Sequence, residues 1–213
     1  MKITKYGHAC IVLEEQGKRL VIDPGAFTES FGDASNVVAV VVTHVHPDHF
    51  NPEHLKTIFA LNPDATLFST PDVASDATDG NIVTAEDGLE TDLGPFHLKF
   101  AGKMHAMIHS SFPQPFNIGV FVNDTFFYPG DSFTTIDEPV KVLAVPANAP
   151  WANVSESMDY IGVIKPEQCI PTHNGLLSEF GHQIYNGALS KATKDIGGTY
   201  TYLQPGESLE VSS

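Results

Sequence analysis

Three of the ten histidines in this 213-residue chain lie close together, with an aspartate between them, in the segment THVHPDHF at positions 43–50. In an extended His-x-His segment, the imidazoles of His44 and His46 point to the same side and can share one metal ion. Asp48 and His49 follow the turn at Pro47, so they point elsewhere and suit a second ion. The spacing therefore predicts two first-row divalent cations close together, an arrangement that supports hydrolysis.

Three further ligand candidates follow predicted strands later in the chain. His105 follows the strand HLKFAG, Asp131 follows TFFYP, and His173 follows QCIP. Side chains on loops at strand ends are positioned by a rigid sheet, and sites are often built there. We expect these residues and the 44–49 segment to converge at one edge of a sheet.

Two histidines and one aspartate near these motifs have open assignments. His109 lies four residues after His105. We prefer His105 as the ligand because it comes right after the strand, which leaves His109 to line the substrate pocket or to support the ligands. Asp23 in the sequence Ile-Asp-Pro is predicted to orient a ligand histidine by accepting its distal N–H. For His8, a contact within the site and a purely structural hydrogen bond are equally good interpretations.

The elements that must position these residues are mostly short strands. Residues 37–43, VVAVVVT, are apolar without alternation, which is typical of a strand buried on both faces. A helix over 51–61 begins with Asn51-Pro52, a cap followed by proline at the first helical position. The other predicted strands cover residues 2–13, 19–22, 66–69, 81–84, 97–101, 117–122, 125–128, 140–145 and 168–172. Further helices run from Ser155 to a stop at Pro166 and over 178–196, and a hairpin-like segment closes the chain at 199–211.

Composition and charge narrow the classes of function. The chain is 42% hydrophobic and 17% charged, which is typical of a globular protein, and we expect one α/β domain over residues 1–213. Its formal charge of −15 opposes binding to nucleic acid and to anionic membranes, so we expect a small-molecule substrate. The two cysteines are expected to be buried free thiols. With no signal peptide and no long apolar run in view, we expect a cytoplasmic protein, and we leave a homo-oligomer open.

The order of these motifs resembles that of the metallo-β-lactamase-fold hydrolases. The resemblance rests on HxHxDH at positions 44–49, the single His105, Gly130-Asp131 and the late Pro-x-His that ends at His173, and it runs through nearly the whole chain. Tyr6-Gly7-His8 and Ile22-Asp23-Pro24 resemble the branch that contains the ascorbate-6-phosphate lactonase-like and other metal-dependent hydrolases. The resemblance implies an α/β fold: a four-layer αβ/βα sandwich, with helices outside two packed sheets and metals at one edge.

The resemblance also implies a role for each candidate ligand. The first metal would be held by His44, His46 and His105, the second by Asp48, His49 and His173, and Asp131 would bridge both. Asp48 and Asp131 would be the catalytic residues, which orient the attacking hydroxide and pass its proton on. We expect two divalent metal ions, zinc first, with manganese, iron or nickel as alternatives, because the ligands include no thiolate.

The implied reaction is hydrolysis of a small ester, lactone or phosphorylated metabolite by hydroxide that the metals make available near neutral pH. A phosphodiesterase or nuclease of the same fold is one alternative, which the charge of −15 opposes. A non-hydrolytic iron-binding protein is another, although iron proteins of this fold usually bring an acidic ligand in place of a histidine and a flavin-binding domain. A third alternative is a metal-binding scaffold without turnover.

Overall fold

The computed structural model describes residues 1–28, 34–78 and 80–212. Its strands in chain order are β1 Lys2–Lys5, β2 Ile11–Glu15, β3 Lys18–Ile22, β4 Val37–Val42, β5 Thr66–Ser69, β6 Asn81–Thr84, β7 Glu90–Leu93, β8 Phe96–Ala101, β9 Gly119–Val122, β10 Phe126–Tyr128, β11 Val142–Pro146, β12 Gln168–Thr172, β13 Thr199–Tyr200 and β14 Ser208–Glu210. Its helices are α1 Pro52–Leu61, α2 Pro71–Asp76, α3 Val154–Ile164 and α4 Glu179–Asp195. Among these residues the strands form two seven-stranded sheets, ordered β14-β1-β2-β3-β4-β5-β6 and β13-β12-β11-β10-β9-β8-β7.

The main core lies between the two sheets. Along β8, buried residues alternate with half-buried ones, so that Phe96, Leu98 and Phe100 share one face. These three side chains belong to one buried cluster with residues of the other sheet, such as Ile22 and Val41. Removal of these apolar faces from water is the main force that holds the two sheets together.

Helices cover the outer face of each sheet. α1 begins after an Asn51 cap, and its buried Leu55 and Ile58 pack against the outer face of β4 and β5. α3 and α4 cover the second sheet in the same way, through residues such as Tyr160 and Leu189. With helices outside two packed sheets, the predicted four-layer αβ/βα sandwich is confirmed.

In the described part of the chain, no helix combines the length and the apolar character needed to span a membrane.

Loops from both sheets meet at one edge, where parallel strands end. β3, β4 and β5 run parallel in the first sheet, and β10, β11 and β12 run parallel in the second. Backbone hydrogen bonds join the two sheets here, from Ile118 N to Thr43 O at 3.0 Å and from His173 N to His8 O at 2.9 Å. The loops that carry the candidate ligands are therefore held together by main chain as well as by side chains.

The structure differs from the sequence expectations in three places. Residues 2–13 form two strands rather than one, because Gly7 adopts a positive φ of 96° between them. The closing segment is not a hairpin, because β13 pairs with β12 and β14 pairs with β1, in different sheets. α2, a helix of six residues, and β7, a mostly polar edge strand of four residues, were not predicted. Cys10 and Cys169 are buried free thiols, as expected.

Gly25 lies where the loop after β3 touches the loop that carries Asp48 and His49. A Cβ atom added to Gly25 would lie 1.9 Å from the Asp48 carbonyl oxygen and 2.4 Å from the His49 nitrogen, and these main-chain atoms cannot rotate away. We predict that Gly25→Ala lowers the free energy of unfolding by about 3 kcal/mol, the upper end of the usual cost of overpacking. Gly187→Ala is the control, because a Cβ at this α4 position meets nothing within 4 Å.

Urea denaturation of the two variants measures the difference. Gly187→Ala should raise the free energy of unfolding by about 1 kcal/mol, because alanine loses less backbone entropy in a helix than glycine does. If the Gly25 variant is as stable as the wild-type chain, the close approach between these two loops is wrong.

Candidate metal centre

The structure places the predicted ligands on loops that follow four strands. The loop between β4 and α1 carries four of them, and the loops after β8, β10 and β12 carry one each: His44, His46, Asp48 and His49, then His105, Asp131 and His173. The loop between β1 and β2 adds His8. Residues far apart in the sequence line one pocket because the strands that carry them end at the same edge.

The ligand-competent atoms of these residues form three overlapping groups, each with all its atoms within 4.8 Å of one another. The groups are His44 with His46 and His105; Asp48 with His49, His173 and His8; and Asp131 with His44 and His49. The first two groups contain the two ligand sets expected from the sequence, and the second also contains His8. The third group joins the other two.

Asp131 lies between the two groups. Its Oδ2 atom is 3.3 Å from His105 Nε2 and 3.0 Å from His173 Nε2, and its Oδ1 atom is 3.2 Å from His49 Nε2. Asp48 reaches only the second group, with Oδ2 3.3 Å from His173 Nε2. Of these two carboxylates, Asp131 is therefore the one whose oxygens lie close to members of both ligand sets.

Several buried polar atoms in this pocket have no well-aligned hydrogen-bond partner among the described residues. They are Nε2 of His8, His44, His49 and His105 and Oδ1 of Asp131. A buried polar atom without a partner costs about 1–3 kcal/mol, so such atoms persist where an ion, a ligand or water contacts them. Imidazole nitrogens and carboxylate oxygens without thiolate form a donor set that zinc, manganese, iron and nickel accept. The residues present therefore fit divalent cations.

Asp23, directly after β3, orients two of the histidines. It is fully buried, and its Oδ2 atom accepts hydrogen bonds from His49 Nδ1 at 2.6 Å and from the Thr43 hydroxyl at 2.7 Å. Because Thr43 Oγ1 gives its hydrogen to Asp23, it can accept one from His44 Nδ1, 3.1 Å away. Both imidazoles then carry a hydrogen on Nδ1 and present the Nε2 lone pair to the pocket. This geometry agrees with the orienting role predicted for Asp23.

Main-chain carbonyls orient two more histidines in the same sense. His173 Nδ1 donates to the Asn148 carbonyl oxygen at 2.6 Å, and His105 Nδ1 donates to the Ala106 carbonyl oxygen. Asp23 and His173 also have positive φ angles of 49° and 53°, which residues other than glycine rarely adopt. Backbone strain of this kind costs about 1–3 kcal/mol and is concentrated at functional sites.

The carboxylates of the pocket draw positive charge into it. Burial lowers the pKa of His173, but Asp131 and Asp48 outweigh burial and raise the pKa to about 9. Burial likewise lowers the pKa of His49, but the charges of Asp131 and Asp23 raise it well above its usual value. Burial raises the pKa of Asp131, but the charges of His49 and His173 hold it well below its usual value. The carboxylates are therefore balanced either by protons on these two histidines or by cations that replace the protons.

Two residues hydrogen-bond to Asp131 in a way that the sequence did not predict, although the Pro150-Trp151 loop was a candidate for an apolar wall over the site. The Trp151 indole N–H donates to Asp131 Oδ2 at 2.8 Å, and the Asn117 side-chain oxygen accepts the Asp131 backbone N–H at 2.9 Å. Trp151 is the single tryptophan of the chain and follows a proline, which is a usable signal, whereas Asn117 has no such local signal. His105 is buried, as most of the other ligand candidates are, whereas His46 and Asp48 are half-buried and His109 is exposed.

This fold and this set of side chains occur in a known superfamily. The beta-lactamase superfamily domain matches residues 2–173. This chain belongs to that superfamily. Protein Rv0786c of Mycobacterium tuberculosis is 33% identical over 198 residues, which cover 91% of this chain and 93% of that protein. A UPF0173 protein of Pyrococcus furiosus is 30% identical over 200 residues, covering 90% and 91%. A UPF0173 metal-dependent hydrolase of Carboxydothermus hydrogenoformans is 23% identical over 97% of this chain and 98% of that protein.

Solved structures share the fold of this beta-lactamase superfamily member at low sequence identity. Igni18, a metallo hydrolase from the archaeon Ignicoccus hospitalis, superposes with a TM-score of 0.75 at 18% identity and 99% coverage of both chains. CmlA, a diiron β-hydroxylase from Streptomyces venezuelae, gives a TM-score of 0.74 at 14% identity over 99% of this chain and 54% of that one. Because a metallo hydrolase and a β-hydroxylase share this fold, the fold does not identify the reaction, which must be argued from the site.

The network around Asp23 can be tested with Asp23→Asn. Asparagine keeps the shape but has only one acceptor oxygen, so donors from Thr43 and His49 lose their acceptor. We predict a free energy of unfolding lower by about 2–3 kcal/mol and a metal affinity weaker by about 10–100-fold. Asp92→Asn is the control, because Asp92 bonds His97 Nδ1 at 2.7 Å on the exposed surface.

Chemical denaturation and metal titration of both variants give the two readouts. The surface variant should leave stability and metal affinity nearly unchanged, since an exposed pair of this kind contributes little. An Asp23 variant that behaves like the Asp92 variant would show that Asp23 does not orient the histidines.

Proposed function

We propose that this protein is a metal-dependent hydrolase that holds two divalent metal ions in this pocket and acts on a small ester, lactone or phosphorylated metabolite. The observation that carries the proposal is the convergence of buried nitrogen and oxygen atoms without partners in two groups, with Asp131 between them. One ion would be held by His44, His46 and His105, the other by Asp48, His49 and His173, and Asp131 would bind both. Zinc is the first expectation for both ions.

When bound, ions of this kind lower the pKa of a water molecule to about 7 and polarise the bond to be cleaved. The chain itself orients the reacting groups. Burial raises the pKa of Asp48, but hydrogen bonds from His173 and His8 hold it well below its usual value. Asp48 and Asp131 are therefore ionised at neutral pH, and their oxygens can accept hydrogen bonds that orient the attacking water. The Trp151 N–H donates to Asp131 Oδ2, which fixes the orientation of this carboxylate in the pocket.

A cavity of about 310 Å³ on the His8 side of the site supports a small substrate. His8 lines it together with apolar side chains that include Phe27 and Leu176. This volume is at the small end of the range of about 300–1,000 Å³ for ligand pockets. Lys5 also lines the cavity and donates to the Asn174 side-chain oxygen at 2.9 Å, so its ammonium adds positive charge beside the centre. A substrate that carries a phosphate or carboxylate group suits this combination.

The alternatives differ in the partner or the metal that they require. A nuclease needs positive charge along its substrate groove, which a net charge of −15 opposes. An iron protein without hydrolytic activity is the second alternative, because CmlA has the same fold. At 14% identity, however, that similarity concerns the fold alone. A lactone substrate would agree with the resemblance of the Tyr6-Gly7-His8 motif to the ascorbate-6-phosphate lactonase-like branch. The cytoplasmic location and a homo-oligomer stay predictions.

Elemental analysis combined with a substrate screen tests the proposed function. Protein purified without added metal should carry about two equivalents of divalent ion and hydrolyse a member of the ester, lactone or phosphorylated classes. A chelator should abolish this turnover, and zinc or manganese should restore it. Full metal loading without turnover in any class would favour a metal-binding scaffold, and iron loading without hydrolysis would favour the iron protein.

The choice of His105 over His109 gives a paired test of the first metal position. We predict that His105→Ala removes at least one metal equivalent and nearly all turnover, because it deletes a buried ligand. His109→Ala is the matched control, and its metal content should stay close to that of the wild-type chain because the side chain is exposed. Metal lost only from the His109 variant would reverse the assignment.

Asp131→Asn separates a bridged catalytic pair from two independent sites. The change keeps the shape but removes the negative charge that offsets two cations. We predict weaker occupancy of the second ion and a fall in turnover of about a hundredfold or more. Folding should survive, because the buried core between the sheets does not depend on metal.

Metal stoichiometry, thermal melting and turnover should be measured for this variant beside Asp124→Asn, a change at an exposed carboxylate in the turn between β9 and β10. The Asp124 variant should match the wild-type chain in all three. Unchanged turnover in a folded Asp131 variant with both ions present would show that Asp131 is not a catalytic ligand.

A further inference from the structure

Four histidines of the centre share one hydrogen-bond pattern, and it sets which ring nitrogen faces the pocket. In three of them, His49, His105 and His173, Nδ1 lies against a carboxylate or carbonyl oxygen, which can only accept a hydrogen bond. In the fourth, His44, Nδ1 lies against the Thr43 hydroxyl, whose own hydrogen is donated to Asp23. A nitrogen that donates to such an oxygen carries the ring hydrogen. The Nε2 atom of each neutral ring therefore has a free lone pair, which is the form that binds a metal ion.

His8 has the opposite pattern, although it lies in the same pocket. Its Nδ1 atom accepts a hydrogen bond from the Gly175 backbone N–H at 2.9 Å. A backbone N–H can only donate, so Nδ1 must offer a lone pair, and the hydrogen of the neutral ring is on Nε2. A nitrogen that carries a hydrogen has no lone pair for a cation. The side chain thus brings an N–H donor to the centre where the other histidines bring acceptors.

The Nε2 atom of His8 is aimed at the second metal position. The side chain is 1% exposed, and Nε2 lies 3.3 Å from Asp48 Oδ2. Within the described residues this nitrogen has no well-aligned hydrogen-bond partner. Hydrogen bonds in metal sites and active sites are often long or poorly aligned before the ligand is bound, and they tighten afterwards. Asp48 Oδ2 is the acceptor within reach.

The protein enforces this orientation of His8 from two sides. A Cβ atom on Gly175 would lie 2.9 Å from His8 Nδ1 and 3.1 Å from His8 Cβ, so the absence of a side chain at 175 is what allows the two to approach. The His8 carbonyl oxygen also accepts the His173 backbone N–H at 2.9 Å. The ring of Phe27 packs edge-on against the imidazole, with centroids 5.7 Å apart. His8 is therefore held by the loop that supplies a ligand on the same side of the pocket.

We propose that His8 is not a metal ligand but a positioning residue whose Nε2–H holds the carboxylate of Asp48 in the orientation that binds the second ion. The proposal rests on the proposed function in that Asp48 is taken to be a ligand there. Carboxylate ligands in metal sites are themselves hydrogen-bonded, and loss of such a partner weakens metal affinity by about 10–100-fold. His8 therefore contributes to affinity without contributing a bond to the metal.

Nitrogen NMR of protein with isotope-labelled histidine tests the tautomer directly. In metal-free and zinc-loaded protein, His8 should have its hydrogen on Nε2, whereas zinc should shift the Nε2 resonances of His44, His49, His105 and His173. In cadmium-loaded protein, scalar coupling to the metal should appear for those four histidines and be absent for His8. Coupling between cadmium and His8, or a hydrogen on its Nδ1, would overturn the proposal while leaving the metal centre itself in place.

Metal titration of variants tests the positioning role. His8→Ala should still bind two equivalents at saturating metal, but one of them should bind about 10–100-fold more weakly. His8→Gln, which also places an N–H donor near Asp48, should recover most of this loss. His97→Gln, at the surface pair with Asp92, is the matched control and should bind like the wild-type chain. Loss of one equivalent at saturation would make His8 a ligand, and unchanged affinity in the alanine variant would remove its positioning role.

A double-mutant cycle links the effect to the Gly175 contact. Gly175→Ala should weaken metal binding by pushing the imidazole away, and it should add little in a chain that already carries His8→Ala, because the group it displaces is absent. Additive effects would overturn the claim that Gly175 acts through His8. If the wild-type chain bound no divalent ion at all, both the proposed function and the role of His8 would be wrong. The contrary outcomes of the NMR, titration and double-mutant experiments would contradict only the role of His8.

Discussion

The buried carboxylate of Asp23 is the interaction on which the metal centre depends. It accepts three hydrogen bonds, two from Thr43 and one from His49, while its backbone has a positive φ of 49°. A charge in the protein interior is tolerated only when donors surround it, so Asp23 requires the end of β4 and the turn before α1 to lie against the end of β3. Through the Thr43 hydroxyl the same carboxylate also orients His44. One buried anion thus sets the direction of one histidine in each of the two ligand groups.

The convergence of the ligands could be predicted from the sequence because it depends on local patterns. The run before His44 is apolar without alternation, and it forms β4, which is almost entirely buried. β12, which His173 directly follows, is likewise buried except at its first residue. A sheet brings the ends of its parallel strands to one edge whatever side chains fill its core. The residues after such strands could therefore be expected to meet before any contact between them was known.

Apart from Asp23, the partners that fix each side chain could not be predicted, because they are distant in sequence or belong to the main chain. Any residue supplies a carbonyl, so nothing in the sequence marks Asn148 as the acceptor for His173. The loop that turns His8 into the pocket interrupts a segment rich in residues that favour β structure, and the positive φ of Gly7 and its bridge to Thr28 reveal the break. Strand choice is equally non-local, since β14 pairs with β1 from the opposite end of the chain. Sequence patterns located the candidate ligands, whereas the orientation of their rings follows from the whole topology.

The charge balance of the pocket explains why histidine, rather than lysine or arginine, surrounds its carboxylates. A fixed cation would neutralise Asp48 and Asp131 permanently and repel a metal ion, whereas a neutral imidazole binds a metal without adding charge. Histidine can also serve when no metal is bound, because the carboxylates then raise the pKa of His173 to about 9 and that of His49 well above its usual value. Near neutral pH these two rings hold protons that a cation must displace. Protons and metal compete for the same nitrogens, so the affinity for metal has to fall as the pH falls. The carboxylates attract both protons and metal ions, and they therefore set which of the two occupies the histidines.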